Sequence, residues 1–273
     1  MKMYQVDAFT TALFKGNPAA VLLLDEWLDE TLMQNIALEN NLAETAFVKV
    51  LDAENYEIRW FSPTTEIEFC GHATLASAFV LFKNDPKIQT IHFHVKSLGT
   101  FIVTQENDGK IIMNFPILKA HKLEKYPDIL NRALTKPFKN VYLNEQTYII
   151  EYHSEQDVYD EVPNLELLNQ LGEQTRDESV HGVAIDVAIT ARAEKYDCVS
   201  RYFAPANGIP EDFVTGSIHT GIAPMWAEQL NKKEIFAYQA SSRGGELFCK
   251  ILDAHRMEIS GYGKLYMEAE LFI

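Results

Sequence analysis

The stretch WFSP, residues 60–63, is followed by FCGHAT, residues 69–74, and then by an apolar run with helical spacing. The same order recurs in the other half of the chain, where YFAP, residues 202–205, leads to VTGSIH, residues 214–219, and a second apolar helix pattern. Each copy is typical of a strand, a Phe-x-Pro turn, a short loop with an acid, and a glycine that opens a helix. Two copies at half-chain spacing predict an internal duplication rather than a solenoid.

Apolar periodicity around the two copies predicts the secondary structure. Alternating apolar residues predict strands, and apolar residues spaced three and four apart predict helices. The predicted strands cover residues 3–8, 19–24, 44–50, 56–61, 90–95, 100–105 and 110–115, and the predicted helices cover residues 29–40, 72–82 and 218–230. Many short strands with few helices favour an α+β fold. The charged stretch 151–161 is expected to be a solvated loop or strand edge.

Composition excludes several classes of function. The 273 residues carry 24 Lys and Arg against 39 Asp and Glu, a net charge of −15 that would repel a phosphate backbone, so we expect no nucleic acid partner. No run approaches the roughly 20 apolar residues of a membrane span, and the first residues lack a signal-peptide layout. The 3 cysteines are odd in number and far apart, which argues against a disulfide framework. These features predict a soluble, cytoplasmic protein.

Several stretches outside the two copies complete a recognisable order along the chain. They are VDAFT at 6–10, GNPAAV at 16–21, NLAETAF at 41–47, CGHAT at 70–74, DFVTGS at 212–217 and QASSRGG at 239–245. In this order the chain resembles the PhzF-type phenazine-biosynthesis family, which is related in fold to diaminopimelate epimerase. One departure is Phe213, where the family often has proline after the acid.

The resemblance implies a fold and an assembly. It implies two similar lobes, residues 1–118 and 119–273, with the last strand, about 264–273, crossing back to the first lobe. Each lobe would be a mixed or antiparallel sheet wrapped round a central helix, with the active site between the lobes. Members act without an organic cofactor or a metal, so none is expected here, and the resemblance favours a homodimer.

Glu44 is the candidate acid–base group. Its local sequence alone favours a surface carboxylate at the start of a strand. In an apolar cleft, however, a desolvated carboxylate is suited to taking and returning a proton. The resemblance places the family's acid–base carboxylate at Glu44 and assigns His72 and Asp212 to substrate contact and proton handling.

The glycines of the two copies predict an anion site. Gly71 and Gly216 precede His72 and Ser217 at the predicted helix starts, where unpaired N–H groups and the positive end of the helix dipole bind anions. We therefore expect a small carboxylate-bearing substrate bound through Gly71, Thr215, Gly216 and Ser217. The alternative is that His72 and Ser217 simply cap their helices.

Cys70 bears on whether the protein is an isomerase or an epimerase. The related epimerase uses one cysteine before each cleft glycine, whereas this chain has Cys70 in the first copy and Thr215 in the second. A threonine hydroxyl is a weak acid, which favours an isomerase that moves a proton between two carbons through Glu44, with Cys70 as a packing residue. An epimerase or racemase that pairs Cys70 with another base stays an alternative, as does a non-catalytic small-molecule binder.

Overall fold

The computed structural model describes residues 1–178, 182 and 184–273. Contacts divide this part of the chain into two compact units: unit 1 comprises residues 1–114 and 258–273, and unit 2 comprises residues 115–257. None of the described helices has the length and apolar character needed to cross a membrane.

The elements follow one another along the chain in an order dominated by short strands. The strands are β1 (Lys2–Ala8), β2 (Asn17–Leu24), β3 (Glu44–Val50), β4 (Asn55–Phe61), β5 (Glu66–Ile67), β6 (Thr90–Val95), β7 (Gly99–Gln105), β8 (Ile111–Pro116), β9 (His121–Lys122), β10 (Phe138–Leu143), β11 (Thr147–Tyr152), β12 (Asp186–Arg192), β13 (Cys198–Ala204), β14 (Ile209–Asp212), β15 (Glu234–Gln239), β16 (Gly245–Ile251), β17 (Arg256–Gly261) and β18 (Gly263–Glu270). The helices are α1 (Glu30–Asn40), α2 (Gly71–Asn84), α3 (Ile129–Ala133), α4 (Glu155–Asp160), α5 (Leu165–Glu178) and α6 (Gly216–Leu230). The predicted helices correspond to α1, α2 and α6.

Unit 1 is a mixed sheet with a buried helix. Strand β1 pairs antiparallel with β18 and β2, β2 pairs parallel with β3, and β3 pairs antiparallel with β4. Strand β4 then pairs parallel with β6, which pairs antiparallel with β7. Helix α2 is buried along most of its length, as expected for a helix that is apolar on every face. It ends at Asn84, two residues before Pro86, because the residue preceding a proline disfavours the helical conformation.

Unit 2 repeats this topology. Strand β11 pairs parallel with β12, β12 antiparallel with β13, β13 parallel with β15, and β15 antiparallel with β16. Helix α6 precedes β15 as α2 precedes β6, and it too is largely buried. The same succession of pairings in both units confirms the α+β fold built from an internal duplication.

A proline inside α6 is accommodated by a contact within unit 2. Pro224 has no N–H, so the carbonyl of Thr220 loses its partner in the helix. The backbone N–H of Leu118 donates to that carbonyl at 3.2 Å. The helix therefore continues through Pro224 without an unsatisfied backbone acceptor.

The expectation for the charged stretch 151–161 is wrong at both of its ends. Glu151 is 1% exposed and accepts hydrogen bonds from Lys139, Asn140 and Tyr142. Glu161 is 2% exposed and accepts from the backbone N–H groups of residues 135 and 136 and from the Tyr152 hydroxyl. Each carboxylate is buried because a full set of donors replaces its water, which a charge run alone does not reveal.

Candidate active site

In unit 1, the first residue of β3 meets the second residue of α2. Glu44 begins β3 and His72 follows Gly71 at the start of α2, and both side chains are less than a tenth exposed. The Nε2 atom of His72 lies 3.0 Å from Oε2 of Glu44. On the other side of the ring, Nδ1 lies 3.4 Å from Sγ of Cys70 and 3.2 Å from Nδ2 of Asn17. The imidazole therefore joins a carboxylate, a thiol and an amide in one buried group.

The protonation states of this group follow from burial and charge. Burial disfavours the charged imidazolium, but the contacts with Cys70 and Glu44 outweigh it, so the pKa of His72 lies well above its usual value. Burial, with the charge of Glu44 adding to it, raises the pKa of the Cys70 thiol to about 11. The thiol therefore keeps its proton at neutral pH.

One oxygen of Glu44 is available for chemistry. Although Oε2 is within ion-pair distance of His72, no group in the described part of the chain donates a hydrogen bond to it. Buried polar atoms in folded proteins almost always have such a donor, so the exceptions mark ligand or catalytic positions. The surface-carboxylate interpretation of Glu44 is therefore wrong, since the group is buried and only partly satisfied.

In unit 2, the acid of the second copy is held by the start of α6. The Thr215 hydroxyl donates a short hydrogen bond to the Asp212 carboxylate, and the Gln239 amide donates to the Asp212 carbonyl at 2.9 Å. The same Gln239 side chain accepts from the backbone N–H of Thr215 at 2.8 Å. The proton of the Thr215 hydroxyl is thus already donated to a carboxylate. This argues against Thr215 as the second acid–base group of an epimerase.

The helix-cap interpretation of His72 and Ser217 is wrong. The N-cap residues are Cys70 for α2 and Thr215 for α6, and neither makes a side-chain cap hydrogen bond. Ser217 instead accepts a hydrogen bond from Nε2 of Gln146 at 2.9 Å. Helix starts without side-chain caps leave N–H donors for other partners, as anion binding requires.

The candidate residues therefore fall into two sets. Glu44, Gly71 and His72 lie together in unit 1, and Asp212, Thr215, Gly216 and Ser217 lie together in unit 2. That the two sets serve one substrate stays a prediction.

A second buried carboxylate occupies the position in unit 2 that Glu44 occupies in unit 1. Asp186 begins β12 as Glu44 begins β3, and each lies 17 residues before the phenylalanine of its copy, Phe203 or Phe61 (203 − 186 and 61 − 44). The neighbouring pairs match as well, since Thr45 pairs with Phe61 and residue 187 pairs with Phe203. Sequence reasoning missed Asp186, although aligning the two copies at their phenylalanines would have found it.

Asp186 is fully engaged where Glu44 is not. The Tyr202 hydroxyl donates to its Oδ2 at 2.6 Å, and the Asn207 amide lies 3.0 and 3.2 Å from its two oxygens. Both units therefore have a buried carboxylate at this strand start, and of the two only Glu44 has an oxygen without a hydrogen-bond donor among the described residues.

Replacing Asp186 with asparagine should change how stability depends on pH. Burial raises the pKa of Asp186 from 3.8 to about 6, so the folded state holds this proton more tightly than the unfolded chain. The resulting stabilisation is present below pH 3.8 and is lost as pH rises through about 6. Urea unfolding of both proteins would be measured at about pH 4 and about pH 7. Between these two pH values, we expect the free energy of unfolding of the variant to rise by up to roughly 3 kcal/mol relative to that of the parent. A pH-independent difference between the two proteins would contradict this assignment.

Phe213, the departure from the family pattern, faces a cation. The guanidinium of Arg243 lies 5.5 Å from the centre of the Phe213 ring, a cation–π distance. Gly244, with φ +67°, turns the chain beside it, and the Ser241 hydroxyl donates to the Phe213 carbonyl. The RGG stretch is thus a tight turn that places Arg243 against Phe213.

Comparisons with known proteins agree with this fold and extend it to function. A Pseudomonas aeruginosa protein named an uncharacterized isomerase is 40% identical over 266 residues, covering 97% of this chain and 96% of that protein. The crystal structure of a PhzF-family phenazine biosynthesis protein from Enterococcus faecalis matches with a TM-score of 0.90 at 38% identity, covering 100% of this chain and 99% of that one. A hydroxyproline epimerase from Agrobacterium vitis shares the fold alone, with a TM-score of 0.62 at 7% identity over 98% of this chain and 91% of that one.

These relatives and the duplicated fold define the protein as an isomerase. The chain belongs to the phenazine biosynthesis-like family, whose sequence profile matches residues 6–269.

Proposed function

We propose that the protein is a cofactor-independent isomerase that moves a proton between two carbons of a small carboxylate-bearing substrate, with Glu44 as the proton carrier. The observation that supports this most strongly is the buried Oε2 of Glu44, which has no hydrogen-bond donor in the described part of the chain and lies 3.0 Å from His72. The open oxygen is free to accept a proton from carbon, and the His72 ring lies beside it. We further propose a cytoplasmic homodimer; the three free, buried cysteines fit a reducing compartment.

The proposed reaction is a balanced proton transfer. Glu44 removes a proton from one carbon, and the electron pair of that C–H bond moves into the adjacent unsaturated system. The negative charge that develops is stabilised by N–H donors at the start of α2, which has no side-chain cap. Glu44 then returns the proton to a second carbon. No oxidant, reductant or other reactant is consumed.

Turnover in deuterated water distinguishes the candidate functions. A panel of small unsaturated carboxylates would be incubated with the protein in D₂O and followed by proton and carbon NMR. The isomerase predicts deuterium at a new carbon, because the carrier exchanges with solvent between the two transfers. An epimerase places deuterium at the original carbon, and a binder that causes chemical-shift changes without any exchange would contradict the proposal.

Cys70 tests the epimerase alternative, which its position 3.4 Å from His72 keeps open. In the isomerase, Cys70→Ala should keep most of the activity, whereas an epimerase with a Cys70 base should lose nearly all of it. Because the pKa of the thiol is raised to about 11, we also expect iodoacetamide to label Cys70 slowly at neutral pH and faster as pH rises. Rapid labelling at pH 7, measured by peptide mass spectrometry, would favour a thiolate base.

Gln146 should matter for substrate binding through Ser217. Gln146→Leu keeps the size of the side chain and removes the donor that orients the Ser217 hydroxyl. We expect KM to rise about three- to tenfold with a smaller change in kcat, since one hydrogen bond contributes roughly 1 kcal/mol. Gln156→Leu is the matched control, because Gln156 bonds only to the exposed Asp160 among the side chains described. An equal effect of both variants would show that Gln146 has no particular role.

A further inference from the structure

The buried group in unit 1 is also a set of metal-ligating atoms. A carboxylate oxygen of Glu44, the sulfur of Cys70 and a ring nitrogen of His72 all lie within 4.8 Å of one another. His72 Nε2 lies 3.0 Å from Oε2 of Glu44 and 4.0 Å from Sγ of Cys70. The three side chains are buried, and Oε2 accepts no hydrogen bond from any described residue. One sulfur, one nitrogen and one oxygen therefore converge on a point where an acceptor lacks a partner.

We propose that Glu44, Cys70 and His72 form a binding site for a thiophilic divalent cation, represented by Zn²⁺, and that the bound ion blocks the acid–base group. Zinc binds sulfur at about 2.3 Å and nitrogen or oxygen at about 2.0–2.2 Å, so ligand atoms around one ion lie roughly 3.3–3.6 Å apart. The observed separations of 3.0 and 4.0 Å lie on either side of this range. With these three ligands in a tetrahedral arrangement, the fourth position around the ion is open to water.

Charge balance favours this cation in a buried site. A Zn²⁺ ion, a carboxylate and a thiolate sum to zero, so the complex buries no net charge. Binding releases the thiol proton of Cys70 to solvent, together with the imidazolium proton of His72 where it is present. Sulfur among the ligands selects Zn²⁺ over Mg²⁺ or Ca²⁺.

The consequence for activity rests on the proposed function, whereas the binding itself does not. An ion on Oε2 occupies the oxygen that would accept the substrate proton and removes the imidazolium beside it. The cation is therefore an inhibitor, and its effect on turnover should disappear when a chelator is added.

Cobalt is the probe that tests the site without any turnover. Titration of the full chain with Co²⁺ should produce a sulfur-to-cobalt charge-transfer band in the near ultraviolet, and Zn²⁺ should displace it. The band should be lost in Cys70→Ser and kept in Cys249→Ser, a matched buried free cysteine in unit 2. Glu44→Gln should weaken Co²⁺ binding by at least about tenfold, since an amide oxygen replaces a charged ligand.

Three results would overturn the proposal: no band at millimolar Co²⁺, a band that persists in Cys70→Ser, or a band lost in Cys249→Ser. If Cys70→Ser does not fold, as judged by circular dichroism, the wild-type protein supplies a second measurement. Zn²⁺ should then protect Cys70 from alkylation at elevated pH, and unchanged labelling would overturn the site. A band without turnover on any substrate would instead contradict the proposed isomerase and leave the metal site standing.

Discussion

Replacing Glu44 with glutamine should lower kcat by about 10²- to 10⁴-fold and leave substrate binding nearly unchanged, because the amide keeps the shape of the side chain and cannot carry the proton. The variant should also fold, since glutamine keeps the size of the side chain at this buried position. The measurements are kcat and KM on a substrate identified by deuterium exchange, together with a thermal melt to confirm folding.

Asp186→Asn is the matched control for that experiment. It makes the same change from carboxylate to amide at the equivalent strand start of unit 2, where Tyr202 and Asn207 already occupy the oxygens. We expect this control to lose far less activity than Glu44→Gln. If both variants retained near-parental kcat, Glu44 would not be the proton carrier. If both lost activity to the same extent, burial of a charge rather than proton transfer would account for the effect.

The repeated motif predicted the fold well because it encodes topology. The turn after Phe61 or Phe203, the glycine and the apolar helix fix how a strand leaves the sheet and returns to it, so two copies imply two equal arrangements of strands. The helices at 72–82 and 218–230 were also predictable, since their apolar residues leave no polar face.

The candidate site was less predictable because its chemistry depends on contacts between distant residues. Cys70 was expected to be a packing residue, yet its sulfur contacts the ring of His72 at 3.4 Å. Gln146 contacts Ser217 from 71 residues away, and nothing in the local sequence of Gln146 marks it. Asp186 was the exception: its position relative to Phe203 repeats that of Glu44 relative to Phe61, so the information was present in the spacing.

Gly16→Ala is expected to have the largest effect on stability of any single methyl addition considered. Gly16 has φ +66°, where an L side chain is strained, and an added Cβ would overlap the Ala8 carbonyl oxygen and lie 2.7 Å from a methyl carbon of Thr10. The obstruction on the Ala8 side is backbone, which cannot rotate away. We expect a loss of about 3 kcal/mol or more in the free energy of unfolding, beyond the roughly 1 kcal/mol that the left-handed conformation alone costs.

Gly109→Ala is the control for backbone strain without a steric clash. Gly109 lies in the same unit and has φ +91°, but its added Cβ would meet nothing within 4 Å. In urea unfolding followed by circular dichroism, Gly109→Ala should lose only about 1 kcal/mol. The difference between the two losses in the free energy of unfolding then gives the cost of the clash between the added Cβ and β1. Because Asn17 follows Gly16 and contacts Nδ1 of His72, Gly16→Ala should also lower activity under conditions where it remains folded, whereas Gly109→Ala should not. Equal destabilisation by both substitutions would show that the turn tolerates a side chain and that the position of Asn17 does not depend on glycine.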